Sequence, residues 1–234
     1  MLLRLTLILL LCAGTLKAAG ESARGIAIIR LIKLEHKGMI TKSYEGIADR
    51  AGYDGGEKCD ESNYQCFNPT LDTFDLSIRD TPQNKNLINF MLSNLEKEMI
   101  IEYQVHRIAA FSLSSRTEVL AAFPQQEILP DNIDRVFKTP KTGDKSSFDI
   151  FGRVLRLEKR GLTVKSWEGI YLDRKRRKVH PFSLSNEAMA QHLLKLIRYQ
   201  PEYHMGVSVH YFATVRETPY DIFEINYSGP TGRL

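Results

Sequence analysis

The sequence predicts a mainly β protein with α+β element order: two tandem OB-like five-stranded barrels, each with one helix between its third and fourth strands. Three observations predict it. Residues 30–47, RLIKLEHKGMITKSYEGI, recur without a gap at an offset of 123 as residues 153–170, RVLRLEKRGLTVKSWEGI. Each copy opens a longer run in which three strand-like segments precede a helical segment and two more strands. Between the runs, residues 124–147 carry Pro124, Pro130 and Pro140 and end polar, as linkers do. The expected boundaries are 21–123 for the first unit and 148–227 for the second. Residues 228–234 (SGPTGRL) have little to bury and are expected to form a loose tail.

Residues 1–20 read as a cleaved signal peptide: Arg4, an apolar run over 5–11, then the small residues Ala18 and Gly20. That run is shorter than the roughly 20 residues a membrane span needs. Cys12 follows Leu11 where a lipoprotein leader carries a small residue. The mature chain is thus expected outside the cytoplasm, in the periplasm or at the cell surface, with no transmembrane segment after cleavage. Loss of Arg4 and Lys17 lowers the formal net charge from +4 to +2, too weak a balance to demand an anionic partner. Cys59 and Cys66 remain in KCDESNYQC. A pair in an exported chain reads as a disulfide; metal ligation lacks a neighbouring His or third Cys.

In the first unit, residues 25–35 form a strand, His36, Lys37 and Gly38 a turn, and residues 39–49 the returning strand. Residues 50–70, with Gly55, Gly56 and both cysteines, read as irregular. Phe74, Leu76 and Ile78 alternate with polar residues as a third strand, stopped by Asp80, Thr81 and Pro82. Leu87, Phe90, Met91, Leu92 and Leu95 follow helical spacing, capped by Asn84 or Asn86. Residues 99–113 and 118–123 supply the fourth and fifth strands. The second unit repeats the order: 153–159 and 162–172 as the hairpin, then 179–184, whose FSLS at 182–185 aligns with FDLS at 74–77. A helix capped by Ser185 or Asn186 carries Met189, Leu193, Leu194 and Ile197. Residues 203–214, with Val209 and His210 matching Val105 and His106, and residues 220–227 complete it.

The Lys-Gly turn followed by Lys-Ser-aromatic-Glu-Gly, at 42–46 and 165–169, resembles that of small exported bacterial proteins often labelled, by transfer, as a phosphogluconate dehydrogenase. The resemblance implies no set activity. The chain itself has no G-x-G-x-x-G after a strand and no Rossmann alternation, and each unit is too small for that chemistry.

On the second strand of each unit, Lys42 and Tyr44 share one face and Ser43 and Glu45 the other; Lys165, Trp167, Ser166 and Glu168 repeat this. One reading makes Lys42, Tyr44, Lys165 and Trp167 an outward binding surface. The other packs both aromatics in the core and pairs each Glu with a cross-strand Lys or Arg. The basic run Arg174, Lys175, Arg176, Arg177 and Lys178 is a solvated loop or a contact for an anionic partner. Two facing carboxylates, Glu45 and Glu168, are the requirement of a hydrolase. His204 and His210 lack a third ligand, so neither a metal nor a cofactor is expected, and no catalytic residue is assigned.

The sequence thus predicts an exported, non-enzymatic binding or envelope-structural protein. The alternatives are a surface adhesin that grips host matrix or anionic polysaccharide through the basic loop, and an envelope hydrolase. Expected partners are an envelope component, a protein or an anionic polysaccharide; export argues against nucleic acid.

Overall fold

Four successive residues after Gly25, namely Ile26, Ala27, Ile28 and Ile29, are all buried, which a strand with one wet face does not allow. The computed structural model gives the reason. It describes residues 21–38, 42–59, 64–110, 112–126, 129–142, 146–161, 164–199, 201–210 and 217–227. Strand β1 (Glu21–Lys37) points Ala27, Ile29 and Leu31 into the core of the first unit and Ile26 and Ile28 into that of the second. It is therefore sandwiched between the two units.

The other elements follow in order: β2 (Ser43–Lys58), β3 (Gln65–Arg79), α1 (Lys85–Ser93), β4 (Glu98–His106) and β5 (Thr117–Phe123) in the first unit. After β6 (Val136–Lys138) come β7 (Ser147–Arg160), β8 (Ser166–Asp173), β9 (Lys178–Leu184), α2 (Glu187–Ile197), β10 (Tyr203–Val209) and β11 (Tyr220–Asn226). The protein is mainly β, with two helices and one large mixed sheet. In the first unit β1 pairs with β2 and β4, β2 with β3, and β4 with β5, while Ser77 of β3 meets Glu118 of β5 in a parallel bridge. In the second, β7 pairs with β8 and β10, β8 with β9, and β10 with β11. The units join where β1 pairs antiparallel with β7 over Ala23–Ala27, and where Phe67 of β3 meets Val179 of β9.

Several expectations need correction. Of residues 50–70, 50–58 and 65–70 are strand and not an irregular excursion, and 60–63 lie outside the described residues. β2 and β3 stay paired from Ser43–Arg79 out to Lys58–Gln65, and Gly55, in the left-handed region at φ 59°, sits at a bulge between Asp54 and Gly56. The glycines look like breakers locally, but the ladder comes from a partner strand. His36 and Lys37 belong to β1, paired with Tyr44 and Ser43, and only Gly38 (φ 108°) keeps turn geometry. Strand β4 ends at His106, well short of 113, and β10 at Val209. The register of β3 differs as well. Glu45 faces Ser77 and Glu168 faces Ser183, so Ser183 is the counterpart of Ser77 and Phe182 that of Leu76. The FSLS–FDLS alignment is slipped by two residues, which leaves every side chain on its expected face and is invisible to a period of two.

Asn186 caps α2 as expected, its side chain accepting the Met189 N–H at 3.1 Å. Asn84 precedes α1, but its side chain donates to the Arg79 carbonyl instead of capping. The α1 face buries Ile88 and Met91, while Leu92 and Leu95 stay at the surface. Within the expected linker, Leu129 and Ile133 are buried in the second core and β6 pairs with β11. The leader, the tail and the expected strand residues 39–41, 162–163 and 211–214 lie outside the described residues. Among the described residues, no helix is long and apolar enough to cross a membrane.

Candidate functional site

The repeated KSxEG stretch places one carboxylate in the same setting in each unit. Strand alternation turns Ser43 and Glu45 inward beside Ser77 of β3. Glu45 Oε1 accepts the Ser43 hydroxyl at 2.5 Å and the Ser114 N–H at 3.2 Å, and Oε2 accepts the Ser77 hydroxyl. Glu168 accepts the Ser166 and Ser183 hydroxyls, each at 2.5 Å. The Ser115 and Thr218 N–H groups then bind Ser77 Oγ and Ser183 Oγ. At Glu45, among the described residues, hydroxyls and a backbone N–H stand in place of the expected cross-strand Lys or Arg, and they satisfy the buried carboxylate. Glu45 and Glu168 line different cavities, one in each unit, so they do not form the facing pair a glycosidase needs.

A second carboxylate recurs beside the matching histidines. Glu118 accepts from His106 at 2.7 Å, Gln104 at 2.8 Å and Arg79 at 2.5 Å. Asp221 accepts the Thr142 hydroxyl at 2.8 Å and the Ser185 hydroxyl at 2.5 Å, with His210 Nε2 at 3.4 Å. Burial pushes the Glu118 pKa up, but the hydrogen bonds from Arg79, His106 and Gln104 outweigh it and hold it at about 2. A carboxylate depressed in the folded state stabilises the fold above its unfolded pKa, near 4.5, and that contribution is lost as pH falls toward 2. Unfolding midpoints measured across this window should drop in the wild type and drop less steeply in Glu118→Gln.

The basic loop is largely engaged within the protein. Asp173, fully buried, accepts the Lys175 and Arg176 N–H groups and the Arg176 guanidinium. Arg174 pairs with Glu202 at 2.5 Å, and Lys178 with Glu57 and, at 2.5 Å, with Asn68. Lys175 and Arg177 project into solvent. The loop therefore meets the arm formed by the outer parts of β2 and β3. Cys59 and Cys66 are joined in a disulfide at the tip of that arm. Tyr64 from the tip lies in the core of the second unit, stacked on Phe148 with ring centroids 3.7 Å apart and Arg176 over its other side at 5.7 Å. The Gln65 N–H adds a bond to the Tyr220 hydroxyl at 2.8 Å.

Lys165 and Trp167 are brought together in a cleft of about 290 Å³ between the units. From β1 come Glu21, Arg24, Gly25 and Ile26; from α2 and the residue after it come Leu194 and Arg198. The Trp167 indole is 8% exposed and packs in the second core, as the core reading of this position expects, and it borders the cleft: its N–H donates to Glu187 at 2.8 Å, and Lys159 lies 5.3 Å over its ring. Hydrogen bonds from Trp167, then Lys159 and Gln191, hold the Glu187 pKa at about 2. Lys165 stands 3.7 Å from Glu21, and Arg198 pairs with Glu102. Four cations, Arg24, Lys159, Lys165 and Arg198, thus face an apolar floor with two carboxylates, Glu21 and Glu102.

Lys42 and Tyr44 lie elsewhere. Tyr44 packs beside the first core, 4.8 Å from the His36 ring, and Lys42 is exposed. Sequence reasoning missed Arg24 and Arg198, which carry no local signal, and Lys159, which lies within the repeat as the counterpart of His36. Among the described residues, no cluster of His, Cys, Asp and Glu could hold a metal ion.

A family model described as "Domain of unknown function (DUF8785)" matches residues 20–129 and again 143–232. No curated protein matches the chain. Among solved structures, the wild-type single-stranded DNA binding protein from Thermus aquaticus aligns over 92% of this chain and 97% of its own, at TM-score 0.28 and 10% identity. A deletion mutant of that protein aligns over the same shares at TM-score 0.24 and 10% identity. At such scores the likeness carries no functional inference.

Proposed function

The chain belongs to the DUF8785 family, a domain of unknown function, and from that premise we propose that it is an exported, non-enzymatic binding protein whose two OB-like barrels hold an anionic polysaccharide segment between them. The barrel reading is supported by pairings in the first unit that pass through all five strands and return to their start, with a helix between the third and fourth. Export is supported by the leader-like residues 1–20 and by the disulfide.

The observation that carries the binding reading is the cleft at Trp167. Its apolar floor of Ile26 and Leu194, bordered by Trp167, suits an apolar sugar face, and Arg24, with Lys159, Lys165 and Arg198 on exchange of Glu187, Glu21 and Glu102, supplies donors for sulfate or carboxylate groups. The hydrolase alternative loses its support because Glu45 and Glu168 do not converge. Arg174, Arg176 and Lys178 of the basic loop hold internal acceptors, as Lys159, Lys165 and Arg198 of the cleft do; the cleft is favoured over the loop by its concave apolar floor.

Affinity for an immobilised sulfated polysaccharide tests the assignment. The double variant Arg24→Ala, Lys165→Ala should bind about tenfold more weakly, about 1.4 kcal/mol, with a shallower salt dependence. Lys175→Ala, Arg177→Ala should bind nearly as the wild type. The reverse ranking would transfer the site to the basic loop.

A further inference from the structure

A cavity lies beside the inward glutamate of each unit, wide beside Glu45 and narrow beside Glu168, although Glu158, Arg160 and Glu217 also border a separate pocket of about 460 Å³. In the first unit Lys33, Glu35, Lys37, Glu45, Ile47 and Ser114 line a pocket of about 250 Å³. Their counterparts Arg156, Glu158, Arg160, Glu168, Ile170 and Glu217 line a cavity of only about 10 Å³. The correspondence runs position by position: the first five pairs are offset by 123 residues, and Ser114 matches Glu217 through the pairings of β4 with β5 and of β10 with β11.

Two exchanges close the second copy. Arg160 stands for Lys37, and Glu217 for Ser114. The Arg160 guanidinium bonds Glu158 at 2.9 Å and Glu217 directly, spanning the cavity. In the first copy Lys37 instead turns to Glu35, 3.2 Å away, with its side chain 56% exposed, and Ser114 is too short to reach it. The open pocket holds three carboxylates, Glu35, Glu45 and Asp75, beside Ile47, against two lysines, Lys33 at 2.7 Å and Lys37 at 3.2 Å, both on Glu35, so a guanidinium would share Glu35 with them. Glu45 is 8% exposed, and three of its roughly four acceptor positions are filled by Ser43, Ser77 and Ser114.

We infer that the pocket beside Glu45 is a binding site for a guanidinium group, the group with which the second unit fills its own copy. The site is separate from the Trp167 cleft. Guanidinium suits it because its planar fork presents several donors to divergent carboxylates at once, and Ile47 offers an apolar edge to the stem that carries it.

Calorimetric titration of the full chain with free L-arginine, and with the capped peptide acetyl-Gly-Arg-Gly-amide, tests this; the citrulline peptide is the neutral control. The arginine peptide should bind at a stoichiometry of one and the citrulline peptide should not. Tighter binding of the peptide than of free arginine assigns the site to a side chain of a partner protein; equal binding assigns it to a free solute. The double variant Lys37→Arg, Ser114→Glu recreates the Arg160–Glu217 pair that fills the second copy and should lower affinity at least tenfold, whereas Ser114→Glu alone, which adds an acceptor and no guanidinium, should bind at least as tightly as the wild type. The reciprocal pair Arg160→Lys, Glu217→Ser should open the second copy and raise the stoichiometry toward two. Absence of binding by both arginine ligands, equal binding of the citrulline peptide, or binding unchanged in Lys37→Arg, Ser114→Glu would overturn the assignment.

Discussion

Tyr64→Ala is expected to destabilise the protein by about 3 to 4 kcal/mol, the cost of emptying a large buried aromatic site. Tyr64 is 2% exposed and belongs to the core of the second unit, although the arm that carries it is built by the first. Its ring stacks on Phe148 with an interplanar angle of 6°, and no neighbour can close the gap without moving β7. Tyr64 lies between the bonded Cys59 and Cys66, and the Cys59 N–H bonds the Tyr64 carbonyl at 3.1 Å, which ties the backbone that carries the ring to the arm. Urea unfolding should show a lower midpoint with little change in slope. Tyr64→Phe, which keeps the stack, should cost far less. A loss below about 1 kcal/mol in Tyr64→Ala would mean that the arm merely rests on the second unit.

Gly25→Val is expected to cost about 3 kcal/mol or more, at the upper end of overpacking effects, and to open the cleft between the units. A Cβ at position 25 would lie 2.5 Å from the Leu157 carbonyl oxygen and 2.6 Å from Glu158 Cβ. Both belong to β7, and backbone does not yield as a flexible side chain does. Relief requires separating β1 from β7, which breaks the ladder joining Ala23–Ala27 to Arg160–Arg156. It also shifts Arg24 and Ile26 in the cleft and pulls Glu158 from the Tyr103 hydroxyl, 2.7 Å away. Thermal unfolding and polysaccharide affinity should fall together in this variant. Full stability with intact affinity would refute the close approach of the strands.

What the sequence made legible was local. The repeated hairpins, the Asn186 cap, the correspondence of His106 with His210 and the disulfide pair all depend on neighbours within one unit. What it hid depends on contacts across long separations. The arm of β2 and β3 looked irregular because each strand finds its ladder in the other, and Tyr64 finds its core in the second unit. The basic run read as a solvated cluster because Glu57 and Glu202, the partners of Lys178 and Arg174, lie far from it in sequence. Strand alternation put Ser43 with Glu45 and Ser166 with Glu168 on shared faces, but the partners Ser77 and Ser183 were hidden, because a two-residue slip of β3 leaves the alternation unchanged. Trp167 and Lys165 were legible as candidates. Their cleft was not, because Glu21, Arg24, Gly25 and Ile26 of β1 and Glu102 of β4 come to it from the other unit.

Trp167 is the sole tryptophan of the chain, so its fluorescence tests the central claim directly. Titration with a sulfated hexasaccharide should change the emission saturably, with an apparent affinity that weakens as salt rises. The response should be greatly weakened in Arg24→Ala, Lys165→Ala and retained in Lys175→Ala, Arg177→Ala. Unchanged Trp167 emission under conditions where the hexasaccharide is bound would contradict a polysaccharide site in the cleft.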